Sequence, residues 1–228
     1  MTEVLRERNR RGEGGRLRDD ILAAAAHLLE QTGSEEAVTL RAVAREVGIS
    51  APSIYSHFKN REEILDVIVD AAFIDFNAAI SAAINTASSP FARLRAGCAA
   101  YLRFAAERPN RYKFLFESQV LAPRPGEPER PAPAIRTESF GMLVQAVQDC
   151  VDAGLSASTD PELDSKAIWV AMHGFATLHA LVGGFNIVGW NVIGTKHDPV
   201  KVGILISDSR IGVITQNLVV ANCKRGLL

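Results

Sequence analysis

Within SIYSHFKNR, residues 53–61, hydroxyl, phenol, imidazole and cationic side chains crowd together. Ser53, Tyr55, Ser56 and His57 can exchange hydrogen bonds with base edges or phosphate oxygens. Lys59 and Arg61 can neutralise phosphates. An ordinary helical hairpin with a solvated polar face would carry the same residue types, so both roles stay open on types alone. Elsewhere no catalytic set takes shape. His173, His179 and His197 have no Ser or Cys partner at a motif spacing, and no two carboxylates stand out in apolar surroundings. The Glu–x–x–His and His–x–x–x–His spacings of metal sites and the Gly-rich phosphate loop are missing. No enzyme activity, metal or cofactor is expected.

A second kind of chemistry is apolar. Tyr101, Phe104, Tyr112, Phe114, Phe116, Trp169, Met172 and Phe175 fall on predicted helices and could line a cavity for a small hydrophobic ligand. His173 and Thr177 lie one helical turn apart and could add hydrogen bonds. For each of these side chains, plain core packing is the competing fate.

The polar cluster needs an element to present it. Leu40, Val43, Ala44 and Val47 recur at i, i+3, i+4, i+7, one face of a helix. Thr39 stands where an N-cap belongs. Gly48 follows where helices end in a left-handed residue, and Ile49 can fold back as its hydrophobic stop. Ser50 is placed to cap a second helix with Pro52 in its first turn. Ala51, Ile54 and Phe58 should be buried on one face of it. Two short helices and a Gly turn are the helix-turn-helix pattern, whose second helix enters the major groove.

TLRAVAREVGISAPSIYSHFKNREEIL resembles the DNA-binding domain of the tetracycline-repressor (TetR/AcrR) family of transcriptional regulators. The resemblance rests on Thr–x–x–x–Val–Ala, the Gly48 turn and Ile54–Tyr55–x–His57–Phe58 followed by Lys59–Asn60–Arg61. It extends from the helix near Asp19 through the one beginning after Asn60. It implies that Arg41 contacts a base or a phosphate, that Thr39, Tyr55, His57 and Arg61 contact phosphates, and that Ala51, Pro52, Ser53 and Ser56 lie along the base edges. AIWVAMHGF resembles the Trp…His–Gly signature of one C-terminal subgroup, on Trp169, His173 and Gly174. Family resemblance also implies a ligand pocket in the C-terminal half, with Tyr101, Phe104, Tyr112, Phe116, Trp169, Met172, His173 and Thr177 as the candidate lining.

Composition sets limits on all this. The 228 residues are 47% hydrophobic, ample for a core, with net charge −1 and pI near 6.5. Affinity for nucleic acid must then come from local charge asymmetry. Residues 1–18 hold six Arg against three Glu. The three cysteines, Cys98, Cys150 and Cys223, are scattered and odd in number, which suits a reduced cytosol. No early apolar run resembles a signal peptide, and no charge-free stretch of about 20 apolar residues offers a membrane span.

Along the chain, residues 1–17 are expected to be a basic flexible arm, either a solvated tail or a source of phosphate and minor-groove contacts through Arg10, Arg11 and Arg16. Residues 18–63 form the helix-turn-helix domain, with Ile21, Leu22, Ala25, Leu28 and Leu29 striping its first helix. Residues 64–184 form a helical ligand-binding and dimerisation domain. Asn60 and Glu63 make a capping box for a helix running to about Asn85. Ser89–Pro90 opens the next, to about 107, and Pro109 breaks it. A short aromatic helix over 110–118 and a five-proline loop over 122–134 follow. Further helices are expected at about 135–153, ending at Gly154, and from Pro161 to about Val182. The tail, 185–228, is rich in Val, Ile and Gly and suggests strand or irregular structure, where the family would usually add another amphipathic helix.

The expected protein is all-α: a cytoplasmic homodimer that binds double-stranded operator DNA. It would be a repressor released by a small, mostly apolar ligand. The alternatives are a ligand-insensitive interaction protein with a vestigial DNA-binding motif, or an activator of the same family.

Overall fold

The computed structural model describes residues 14–118, 121, 132–182, 202–207 and 210–215, with side chains described over 15–118, at 121 and over 132–178. Residues 1–13 of the arm, 122–131 of the proline-rich loop and the rest of the tail lie outside the described residues. The helices are α1 (Gly14–Thr32), α2 (Leu40–Val47), α3 (Ala51–Ile54), α4 (Arg61–Asn85), α5 (Pro90–Glu107), α6 (Pro109–Glu117), α7 (Ala134–Asp152) and α8 (Pro161–Val182). A 3-10 turn, Glu35–Ala37, joins α1 to α2. In the tail, Val202–Ser207 (β1) and Arg210–Thr215 (β2) pair as an antiparallel hairpin, Val202 opposite Thr215.

The chain divides into two compact units: residues 1–73 with 110–131, and residues 74–109 with 132–228. The division runs through α4 after Phe73, so that helix contributes to both. α6 belongs to the first unit.

In the first unit the core is a set of side chains with almost no exposure. Ile21 and Ala25 of α1, Val43 of α2, Ile54 of α3 and Ile64, Leu65 and Val69 of α4 are all fully buried, and Phe58 is 1% exposed. Burying a side chain of this size is worth about 1.5–3 kcal/mol. Caps define where the short helices begin and end. Thr39 Oγ1 accepts from Ala42 N at 3.1 Å. Gly48 is left-handed at φ 77°, and Ile49 N donates back to Ala44 O at 2.9 Å, closing α2 with a Schellman turn. The box expected at the start of α4 forms by half: Glu63 N donates to Asn60 Oδ1 at 2.9 Å, but Glu63 Oε2 accepts from Lys59 N, one residue before the cap, at 2.7 Å.

Three local expectations fail. Ser50 does not cap α3; its hydroxyl pairs with Ser53 Oγ at 2.7 Å, and the main chain turns through Ser53 N to Ser50 O at 2.9 Å. The second motif helix is regular only over Ala51–Ile54. Beyond it the bonds tighten to three-residue spacing, Tyr55 N to Pro52 O and His57 N to Ile54 O, while Ser56 Oγ donates to Ser53 O. The first helix starts earlier than expected, at Gly14, so Arg16 sits on α1 and not on the arm.

In the second unit α5, α7 and α8 pack on one another beside the last turns of α4. Phe76 is at its centre, edge-on to Tyr101 (5.4 Å between centroids) and to Phe104 (5.1 Å). Asn77, 4% exposed, anchors the start of α7 by donating to Ile135 O at 2.7 Å and Glu138 Oε2 at 3.0 Å. Ser89 caps α5 through Ala92 N, and Asp160 caps α8 through Leu163 N. Gly154, at φ 69°, ends α7. By length and composition α4 could cross a bilayer, with a mean hydropathy of 1.8. Asp66, Asp70 and Asp75 lie along it, however, and its burial is one-sided, as in a helix packed within a protein.

Candidate functional site

The polar face of the helix-turn-helix forms because Ile54 and Phe58 are drawn into the core. That turns Pro52, Tyr55, Ser56 and Lys59 outward, with Ala51, Ser53 and His57 half-buried at their flanks. Tyr55 is 61% exposed, a large ring left in solvent. The guanidinium of Arg18 of α1 lies over the Phe58 ring, 4.9 Å from its centroid. Arg41 and Thr39 are exposed on the facing helix. Among the described residues the side chains of Arg41, Tyr55, His57 and Lys59 have no hydrogen-bond or ion-pair partner. Thr39 keeps its hydroxyl proton free while its oxygen caps α2.

Arg61 departs from the expected role of phosphate contact. Its Nε donates to Val38 O at 2.8 Å, an Nη donates to Glu35 O, and Glu62 is 3.8 Å away. Val38 O lies past the end of the 3-10 turn and takes its hydrogen bond from the guanidinium, while Glu35 O accepts from Arg61 in addition to Val38 N. Arg61 fastens the linker between α1 and α2 instead of reaching outward.

The second unit contains a cleft of about 400 Å³, counting the space open to solvent. Ile80 and Ile84 of α4, Arg93, Leu94, Gly97, Cys98 and Tyr101 of α5, Ser139, Phe140, Met142, Leu143 and Ala146 of α7, and Trp169 and Met172 of α8 line it. Of the ligand residues expected from sequence, Tyr101, Trp169 and Met172 are here. His173 lies one turn behind the wall: it stacks on Trp169 at 5.4 Å and shares a 3.3 Å hydrogen bond with the Tyr101 hydroxyl. Phe104 is core, 4% exposed, between Phe76 and the guanidinium of Arg108. Thr177 Oγ1 is buried with no hydrogen-bond partner among the described residues and does not reach the cleft. Tyr112 and Phe116 belong to the first unit, where they pack on each other and Phe116 meets Phe73 edge-on at 6.1 Å. Aromatic density therefore overestimated the cleft, because rings also fill cores.

Sequence reasoning missed Arg93, Gly97, Ser139 and the α4 wall. Arg93, Gly97 and Tyr101 recur at i, i+4, i+8, so a cation in an otherwise apolar stripe was the available signal. Burial pushes the Cys98 thiol up to about 12, which makes it an inert part of the wall at neutral pH. No group of three metal-ligating side chains occurs among the described residues.

Residues 21–68 match the family described as bacterial regulatory proteins, tetR family, and residues 94–191 match the tetracyclin repressor-like C-terminal domain. The nucleoid occlusion factor SlmA of Edwardsiella ictaluri is 27% identical over 93 residues, 41% of this chain and 47% of that protein. The chain thus spans about half the length of the curated relatives it matches. A Rhodococcus sp. RHA1 protein of unknown function superposes with TM-score 0.63 at 27% identity, covering 78% of this chain and 91% of that one. The TetR-family regulator PfmR of Thermus thermophilus shares the fold with TM-score 0.54 at 24% identity, over 70% and 84% of the two chains. Both halves match the same family, so the chain belongs to the TetR family of DNA-binding transcriptional regulators.

Proposed function

We propose that this protein is a cytoplasmic, homodimeric repressor that leaves its operator when a small, mostly apolar molecule enters the cleft of the second unit. The observation that carries the reading is the double membership of α4. Its first half supplies Ile64, Leu65 and Val69 to the core behind the helix-turn-helix, and its last turns supply Ile80 and Ile84 to the cleft wall. A ligand that prefers one position of Ile80 and Ile84 biases a helix on which the DNA-binding unit is built.

Dimerisation is supported by α8. Leu163 and Val170 are each 61% exposed and Leu178 45%, an apolar stripe with Gly174 in it, where a Cβ would meet nothing. Such a stripe suits a second helix lying against it. Two copies would present Arg41, Ser53, Tyr55, His57 and Lys59 to half-sites about 34–36 Å apart or a multiple of that. The conformation that binds DNA is the one with this spacing. A ligand lowers affinity by its preference for another.

Selection of bound genomic fragments, followed by gel shifts on the recovered site, tests the proposal. A palindromic site is expected, with release by compounds that raise the melting temperature. An operator complex indifferent to every stabilising compound would defeat the ligand-release reading, and an asymmetric site bound by one copy would defeat the dimer.

A further inference from the structure

Arg93 is the one charged residue among those lining the cleft, and its surroundings leave it unsatisfied. The other residues lining the cleft are apolar or neutral, Ile84, Leu94 and Ala146 among them. Its Nε is shut off from solvent and has no hydrogen-bond partner among the described residues. Asp149 is its anionic neighbour, but the Nη–Oδ2 separation is 3.6 Å, beyond a hydrogen bond, and the other Asp149 oxygen already accepts from Gln145 Nε2 at 2.8 Å. The side chain as a whole is 38% exposed, which leaves it open to an entering group. A guanidinium is a fork of five donors fitted to two oxygens of one planar acid. A shielded donor without an acceptor costs free energy that such an oxygen would recover.

The far end of the cleft differs. Tyr101 lies eight residues along the same helix face, about 12 Å away by helical rise. Its hydroxyl already shares a hydrogen bond with His173 Nδ1. Between the two ends, Gly97 presents no side chain, and Ile80 and Ile84 form the floor behind it; a Cβ at Gly97 would stand 3.3 Å from Ile84 Cδ1. The cleft is thus polarised: cationic at Arg93, apolar in the middle, neutral at Tyr101.

We infer that the cleft takes an elongated apolar molecule ending in a carboxylate or similar acidic oxygen pair, with that end on Arg93 and the apolar body along Gly97 toward Tyr101. This rests on the cleft being the ligand site, as proposed above. Asp149 is then the group the acid displaces from the guanidinium.

Three probes of equal chain length separate the possibilities: decanoate, decan-1-ol and decyltrimethylammonium, titrated calorimetrically into the full-length protein. Decanoate should bind at least about ten-fold more tightly than decanol, the worth of one charge-assisted hydrogen bond, and the ammonium most weakly. Arg93→Gln should bring decanoate to the level of decanol and leave decanol unchanged. Asp149→Asn should tighten decanoate alone, and it serves where Arg93→Gln does not fold. Decanol binding as well as decanoate, or a preference for the acid that survives Arg93→Gln, overturns the acidic-ligand assignment and leaves the cleft as a site for neutral molecules. Failure of all three probes to bind overturns both.

Discussion

In the DNA-binding unit, core residues and candidate contact residues alternate within a single turn. Ile54 and Phe58 are buried while their neighbours Tyr55 and Lys59 are in solvent. In the cleft of the second unit the division blurs. Trp169, Phe140 and Leu143 are half-buried, at once part of the packing and part of an open wall. The two arrangements answer different needs. A groove in DNA has fixed spacing and suits a face set by two short helices, the first of them capped at both ends. The proposed ligand would be met by a surface whose rings are not fully used by the core, so that filling it would change what the helices prefer.

The sharpest way to break that contrast is to shrink rings in both places. Phe58→Ala should cost about 3–5 kcal/mol in urea unfolding, as for a packed core aromatic. Phe104→Ala should cost about as much, since that ring is 4% exposed against Phe76. Trp169→Ala, in the half-open wall, should cost clearly less than either. Equal losses at all three positions would mean that the cleft is simply core.

Next in size are the outward residues. Tyr55→Ala and Lys59→Ala should each weaken operator binding about ten-fold or more with the melting temperature unmoved, and Lys59→Ala should flatten the slope of log affinity against log salt by about 0.9. Operator affinity identical to the parent, with unchanged circular dichroism, would show that α3 and the turn after it do not face DNA.

Arg61 tests the boundary between the two kinds of residue. Because it donates to Val38 O and Glu35 O, Arg61→Ala should destabilise the protein by about 1–3 kcal/mol. The salt slope of DNA binding should stay as it is. A flattened slope with full stability would restore Arg61 to the phosphates.

The smallest effect concerns Cys98. A thiol pushed up to about 12 stays protonated through neutral and mildly alkaline pH, so its alkylation by iodoacetamide should stay slow between about pH 7 and 9, whereas an unfolded thiol speeds up across that range. Fast labelling at pH 8 in the folded protein would show that the wall opens at Cys98.

What the sequence determined by itself was local. Thr39, Gly48, Asn60, Glu63, Ser89 and Gly154 each act within about one turn of their own position, so cap and stop chemistry could be traced before any packing was known, and the outward face of residues 52–59 followed from the burial of Ile54 and Phe58. Tertiary structure decided what depends on partners far along the chain. Arg61 turned inward because of two carbonyls more than 20 residues away. Tyr112 and Phe116 left the expected pocket because α6 packs with the first unit. Arg93 became the polar end of a cleft only once α4, α7 and α8 were placed around it. A ring or a cation has the same periodicity whether it fills a core or faces a cavity, and the choice is made by which helices surround it.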